Sequence, residues 1–171
     1  MRPPPLQTNI RLSWYFASLK FLTETCPAGW SLFNKYCYKT INFTMRKNWS
    51  DARETCLNIN SDLVSIKNEE ENRFVATFFT GQLAWIGLRH GERVWSDGSN
   101  ATYFGSPGLF NSTPTGLCCV LTFGLQWSVK TCDIRLEHAV CKRMGLYRAP
   151  EATFITRSVS SLDQLYATII N

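Results

Sequence analysis

The sequence is poor in the residues that enzymes and metal centres most often use. It has two histidines and no Cys-x-x-Cys pair, and it lacks the Gly-x-Ser-x-Gly, His-Glu-x-x-His and phosphate-loop motifs. A structural zinc site takes four Cys or His ligands at short spacing, whereas His138 and Cys141 have no matching second pair. These absences predict a chain that is not an enzyme and that needs no metal or other cofactor.

Basic runs and long apolar runs are also missing. The net charge of +5 comes from 18 Lys and Arg against 13 Asp and Glu, without the clustering that nucleic-acid binding requires. Residues 10–22 are apolar, but Arg11 and Lys20 interrupt them, and a bilayer-spanning helix needs about 20 apolar residues. We therefore expect no transmembrane segment in this chain. The same interruptions make a poor signal peptide, so this start is compatible with an atypical signal, the stub of a longer receptor or a mispredicted first exon.

Cysteines and glycosylation sequons, by contrast, are abundant. Seven cysteines without zinc-site spacing favour disulfide bonds and hence an oxidising compartment. Four Asn-x-Ser/Thr tripeptides predict N-linked glycans at Asn42, Asn48, Asn100 and Asn111. Both features predict an extracellular or secreted glycoprotein.

The pattern of apolar and polar residues predicts one domain at 26–143, between an N-terminal tail, 1–25, and a C-terminal tail, 144–171. The domain begins with a pattern typical of a hairpin around Asn34-Lys35. The C-terminal tail loosens in pattern, although the spacing of apolar residues from Ser161 onwards is compatible with a short helix.

Two helices are predicted inside this domain, followed by strands. The first helix runs from Trp49 to about Asn58, with Ser50 or Asn48 as its N-cap. The second begins at Asn68 with a capping-box-like pattern, and its acidic first turn reads as a solvated face. Strands are predicted at 83–89, on both sides of the Asp97-Gly98 turn, and in the segments that contain "CCVLTF" and "EHAVCKR".

Several short motifs follow one another along the chain in an order that is specific as a set. The set consists of Cys26-Pro27-x-Gly29-Trp30, Cys37-Tyr38, Trp49-Ser50-x-Ala52-x-x-x-Cys56, Leu63-Val64-Ser65-Ile66, Glu70-Glu71-Asn72, Trp85-Ile86-Gly87-Leu88, Trp95-Ser96-Asp97-Gly98-Ser99, Cys119-Val120, Trp127, Cys132 and Val140-Cys141. The arrangement resembles the C-type lectin-like domain. The resemblance implies an α+β fold in which two helices flank antiparallel β-sheets, with a long loop region and disulfide staples.

The resemblance also implies three disulfide bonds, namely Cys26–Cys37, Cys56–Cys141, and Cys132 with one of Cys118 and Cys119. The register before Val120 favours Cys119 as the partner of Cys132, which leaves Cys118 unpaired. A spare cysteine at this place is compatible with a buried free thiol, with a covalent dimer through Cys118, or with the swapped pairing.

Sugar-binding members of this family hold a calcium ion in the long loop, and calcium takes six to eight oxygen ligands, several of them carboxylates. The resemblance places those ligands at Leu109-Phe110-Asn111, at Leu117 and at Trp127-Ser128-Val129, where no residue is acidic. From Gly98 through Val129 there is no Asp, Glu, Lys or Arg, so a shift of register would not supply a carboxylate. The family's calcium ligands are therefore missing.

We expect, then, an extracellular binding module that recognises a protein or glycan ligand at the long loop without calcium. The expected ligand contacts are Leu109, Phe110 and Gln126, because exposed apolar loop residues often mark contact sites. One alternative is a carbohydrate-binding lectin that uses calcium through unconventional ligands. A second is a cysteine-linked subunit without a ligand of its own.

Overall fold

The computed structural model describes residues 23–78, 82–106 and 116–148. Residues Glu24–Tyr147 form one compact unit. The predicted contacts Leu109 and Phe110, the sequon at Asn111 and the predicted helix from Ser161 lie outside the described residues.

Seven of the nine strands in the described ranges form one sheet, in the order β2-β3-β8-β5-β6-β7, with β4 pairing with β8. The strands of this sheet are β2 (Ser31–Phe33), β3 (Tyr36–Lys47), β4 (Asp62–Leu63), β5 (Ala84–Arg89), β6 (Leu117–Leu121), β7 (Trp127–Thr131) and β8 (Leu136–Met144). Neighbours are antiparallel except β5 and β8, which run parallel. The remaining two strands, β1 (Thr23–Thr25) and β9 (Leu146–Arg148), pair with each other.

The predicted hairpin is present and joins β2 to β3. Phe33 pairs with Tyr36 across a two-residue turn, and the turn residues Asn34 and Lys35 have φ values of 44° and 70°. Two consecutive residues with positive φ make the turn whose twist matches that of antiparallel strands, and asparagine tolerates this conformation well.

Two helices begin at asparagine caps that the sequence indicates. Helix α1 (Trp49–Leu57) follows Asn48, and helix α2 (Glu69–Ala76) follows Asn68. In each case the asparagine side chain accepts a hydrogen bond, at 2.8 Å, from the backbone N–H three residues later. The structure thus selects Asn48 over Ser50 as the first cap. Such a cap contributes about 1 kcal/mol to helix stability because it satisfies an N–H group that the helix leaves free.

The sheet carries an apolar cluster on each face, so the predicted α+β arrangement with two flanking helices is confirmed. One cluster contains Val75 of α2, Trp95 and Trp127, and the other contains the buried face of α1 and Trp85. The three tryptophans are 0 to 3% exposed, so their side chains are part of the core.

The acidic first turn of α2 is only partly solvated, contrary to the expectation. The side chain of Glu71 is 6% exposed and forms an ion pair with Lys142 of β8, which is equally buried. Glu71 also accepts hydrogen bonds from the hydroxyl of Tyr38 at 2.5 Å and from the backbone N–H of Lys67 at 2.7 Å. Lys142 in turn donates to the carbonyl oxygen of Ser65 at 2.8 Å. The pair is thus enclosed in hydrogen bonds, as a buried charge must be.

Three disulfide bonds fix the ends of these elements: Cys26–Cys37, Cys56–Cys141 and Cys118–Cys132. The first two are those that the resemblance implies. The third corrects our prediction that Cys119 pairs with Cys132 and that Cys118 is unpaired. Successive strand residues point to opposite faces of a sheet. Cys118 shares a cluster with Cys132, whereas Cys119 belongs to the cluster on the other face.

Cys119 is therefore the unpaired cysteine of the described residues, and it is fully buried. Burial raises the pKa of its thiol to about 12, which keeps the reactive thiolate scarce at neutral pH. Since Cys118 is bonded within the chain and Cys119 is enclosed, the alternative of a covalent dimer through Cys118 loses its basis.

Candidate functional site

The described parts of the charge-free segment, 98–106 and 116–129, meet at the side chain of Trp127. The indole N–H of Trp127 donates to the side-chain oxygen of Asn72 on α2 at 2.9 Å. The amide nitrogen of Asn72 donates to the carbonyl oxygen of Leu125 at 2.7 Å. Asn72 is 1% exposed, and its bond with the indole is buried. A single buried amide therefore ties the loop to the helix.

The described start of the long loop also closes on Trp127. The side chain of Ser106 accepts from the backbone N–H of Trp127 at 2.9 Å and donates to its carbonyl oxygen at 3.0 Å. At Gly105 a Cβ atom would come within 2.5 Å of the indole nitrogen of Trp127, so only glycine fits there. Trp95 and Tyr103 contact the indole edge-on, with ring centroids 5.6 and 5.8 Å away. Trp127 is thus the floor of the site.

A short loop between β6 and β7 rises from this floor and exposes an aromatic side chain. Its closure rests on Thr122, whose N–H and hydroxyl donate to the carbonyl oxygen of Gln126 at 2.9 and 3.0 Å. Between them a 3-10 turn, Phe123–Leu125, uses positive φ at Gly124 (77°) and Leu125 (72°). Phe123 is 75% exposed, and Gln126, one of the predicted contacts, is exposed beside it. We call Thr122–Gln126 the tip loop.

Two charged residues border the start of the long loop and hold it in place. Lys67 donates to the hydroxyl of Ser99 and, at 3.3 Å, to the carbonyl oxygen of Asn100, while burial lowers the pKa of its ammonium. Asp97 accepts from the N–H of Ser99 at 2.9 Å. Burial alone would raise the pKa of Asp97, but hydrogen bonds from Ser65 and Ser99 outweigh it and lower that pKa. Both charged side chains therefore hold Ser99 and its neighbour Asn100 in place through hydrogen bonds.

Of the positions that the resemblance assigns to calcium ligands, the described ones do not fit a calcium ion. Leu117 is half-buried in β6, and Val129 of β7 packs against the core cluster that contains Trp127. Ser128 offers one neutral hydroxyl where a hard cation wants carboxylates. Within the described residues, no group of three His, Cys, Asp or Glu is placed to hold a metal ion.

Three of the predicted glycosylation sites lie in described positions. Asn42 and Asn100 are exposed, whereas Asn48 is half-buried as the cap of α1. The side chain of Asn42 lies 2.7 Å from Nδ1 of His138. Glycosylation at these residues stays a prediction.

Comparison with known proteins gives a consistent result. The family model of the Lectin C-type domain matches residues 45–143. The human low affinity immunoglobulin epsilon Fc receptor is 34% identical over 149 residues, which cover 84% of this chain and 46% of the receptor. A snaclec of Philodryas olfersii is 33% identical over 160 residues, which cover 84% of this chain and 96% of that snaclec. This chain thus spans about half the length of the human receptor.

A solved structure with the same fold is the cow C-type carbohydrate-recognition domain of CD23, crystallised in the presence of a GlcNAc2Man3 oligosaccharide. It superposes with a TM-score of 0.65 at 31% identity and covers 72% of this chain and 99% of that domain. As for membrane insertion, no helix within the described ranges has the length and apolar character to cross a bilayer.

Proposed function

This chain belongs to the C-type lectin domain family, and from that premise we propose that it is an extracellular binding module that recognises a protein or glycan ligand without calcium. Its relatives are lectin-like binding proteins rather than enzymes. The three disulfide bonds and four sequons support an oxidising, glycosylating compartment.

One observation carries the calcium-independent part of the proposal. The scaffold of the loop is intact, because Trp127 and its partner Asn72 are buried and bonded. Yet the whole segment from Gly98 to Val129 contains no carboxylate. A loop of this kind offers apolar area, hydroxyl groups and backbone hydrogen bonds to a ligand. Binding there should depend weakly on salt, because screening acts on charges.

Among the described residues the tip loop supplies the best-supported contact, while Leu109 and Phe110 stay predictions outside them. Phe123 is 75% exposed, while Thr122, Leu125 and Trp127 fix the backbone on which it stands. A rigidly presented aromatic ring is a usual centre of a binding surface, since little conformational entropy is lost when it is covered. The signal in the sequence was the uncharged "TFGLQ", in which Gly124 permits the turn.

We predict that binding of this protein to a glycan array is the same with and without EDTA. The reason is the missing carboxylates of the loop, without which a calcium ion has too few ligands. A calcium-dependent lectin on the same array serves as the positive control and should lose its signal with EDTA. Sugar binding by this protein that disappears with EDTA and returns with calcium would instead establish the lectin with unconventional ligands.

We further predict that Phe123→Ser weakens the binding of the glycan or protein ligand by roughly 1–3 kcal/mol, the usual effect of truncating an anchor residue. Stability should be nearly unchanged, since the ring is exposed. Met45→Ser is the matched control, because Met45 is 79% exposed on β3. Isothermal titration of the three proteins decides, and equal affinities would place the ligand on another surface.

A further inference from the structure

An open depression of the surface lies where the sheet is irregular. The pairing of β3 with β8 shifts register between Asn42 and Lys47, and β5 begins beside this bulge, with Ala84 opposite His138. The depression has a volume of about 250 Å³ and is open to solvent. Its lining residues are Arg46, Gln82, Leu83, Arg135, Leu136, Glu137 and His138. We call this the bulge cavity, and no residue of the tip loop lines it.

The chemistry of the bulge cavity differs from that of the charge-free loop. Two guanidinium groups, Arg46 and Arg135, face a single carboxylate, Glu137. Arg46 is oriented by Glu137, whose carboxylate accepts from its Nε at 2.9 Å and from its Nη2 at 2.6 Å. Arg135 donates to the carbonyl oxygen of Arg46 at 3.5 Å, and it forms no ion pair with a described residue. One positive charge is therefore left to an incoming anion.

The remaining lining suits a sugar ring that carries the anion. Leu83 and Leu136 form an apolar floor, since both pack on the core cluster around Trp85. Gln82 adds a side-chain amide that exchanges hydrogen bonds with hydroxyl groups. A volume of about 250 Å³ lies below the usual range for small-molecule sites, which limits the ligand in the depression to about one sugar residue. Guanidinium forks bind sulfate-like and carboxylate groups in a bidentate manner.

We propose that the bulge cavity binds an anionic sugar residue through its sulfate or carboxylate group, with Arg135 as the principal contact and Arg46 as the second. The proposal does not rest on the calcium-independent function of the tip loop. The exposed Arg46–Glu137 pair, with side chains 66% and 46% accessible, is a weak surface interaction that an anion can displace.

The test is isothermal titration of the intact chain with a sulfated heparin disaccharide, with sialyllactose and with lactose. We expect binding of at least one acidic saccharide, loss of that binding at high salt and no binding of lactose. The sulfated and carboxylated probes separate the two anionic groups. Binding of lactose as tight as that of the acidic sugars, or no binding of either acidic probe, would overturn the proposal.

Variants of single residues give the proposal its sharper test. Arg135→Gln should lower the affinity for the acidic saccharide by about tenfold, the effect of one lost charge-assisted hydrogen bond. Arg93→Gln is the matched control, because it removes an exposed guanidinium that does not line the cavity. Glu137→Gln should tighten binding, since it removes the competing carboxylate, while Glu92→Gln, an exposed acid elsewhere, should not. Equal effects of cavity and control variants would reduce the result to net charge and refute the site.

Glycosylation at Asn42 offers one more measurement. Because Asn42 contacts His138, which lines the bulge cavity, a glycan there would stand close to the cavity. Thr44→Ala removes the sequon and keeps the Asn42 side chain. In glycosylated protein it should therefore raise the affinity for the acidic saccharide, whereas the unglycosylated protein should show no such gain.

Two further measurements separate this site from other surfaces. A poly-glutamate peptide that binds as tightly as the saccharide would show a protein-binding surface instead and would contradict the proposal. Phe123→Ser should leave this binding unchanged, which keeps failure here separate from failure at the tip loop.

Discussion

Replacing Lys142 by methionine should lower the free energy of unfolding by about 3–5 kcal/mol, the usual cost of removing one partner of a buried ion pair. The variant would leave the carboxylate of Glu71 enclosed without its cation, and each side chain of the pair is only 6% exposed. The hydroxyl of Tyr38 would still donate to it, but a neutral donor does not balance a buried charge. Urea denaturation, followed by tryptophan fluorescence, measures the loss.

Two controls separate this effect from lost packing. Arg73→Met breaks the pair of Arg73 with Glu69 on the same helix, where both side chains are more than 60% exposed, and should cost less than about 1 kcal/mol. The double variant Lys142→Met/Glu71→Gln removes both charges and should recover part of the stability, because no unpaired charge stays buried. A double variant less stable than Lys142→Met would contradict the argument.

The buried pair also shows why the acidic turn of α2 was misread from the sequence. Three consecutive acids at a helix start are usually solvated, and they suit the helix dipole. The cation that balances the buried charge of Glu71 is Lys142, which lies 71 residues further along the chain, on β8. A partner at such a separation leaves no local pattern. It becomes visible only when the pairing of β3 with β8 brings Lys142 opposite Tyr38.

Local rules, by contrast, were enough where the cause is local. The Asn34-Lys35 turn and the Asn68 cap depend on neighbouring residues alone, and the structure contains both. The pairing of Cys132 was wrong because it depends on which face of β6 each cysteine occupies, a matter of one residue in register. Phe123 was missed because "CCVLTF" reads as one strand, whereas β6 ends at Leu121 and the next residues turn.

Removing the Cys56–Cys141 bridge should be the most damaging change to any of the three disulfides. The bridge closes a loop of 85 residues between helix α1 and strand β8, and the loop-entropy model gives roughly 4–5 kcal/mol for it. Both sulfur atoms are also fully buried in the cluster around Trp85, so Cys56→Ala/Cys141→Ala loses packing as well. We expect this double variant to be partly or wholly unfolded at physiological temperature.

The other bridges rank below it by the same argument. Cys26→Ala/Cys37→Ala opens a loop of 11 residues and should cost roughly 3 kcal/mol, with a similar value for the Cys118–Cys132 bridge, whose loop has 14. Cys119→Ala opens no loop, so its cost is that of a small cavity alone. Denaturant midpoints of the four proteins under non-reducing conditions, which keep the remaining bridges intact, give the order. Chain entropy makes the Cys56–Cys141 bridge the costlier one to lose, because opening the longer loop gives the unfolded chain far more freedom. If the loss of Cys26–Cys37 proves costlier, native-state packing around the hairpin outweighs chain entropy in this domain.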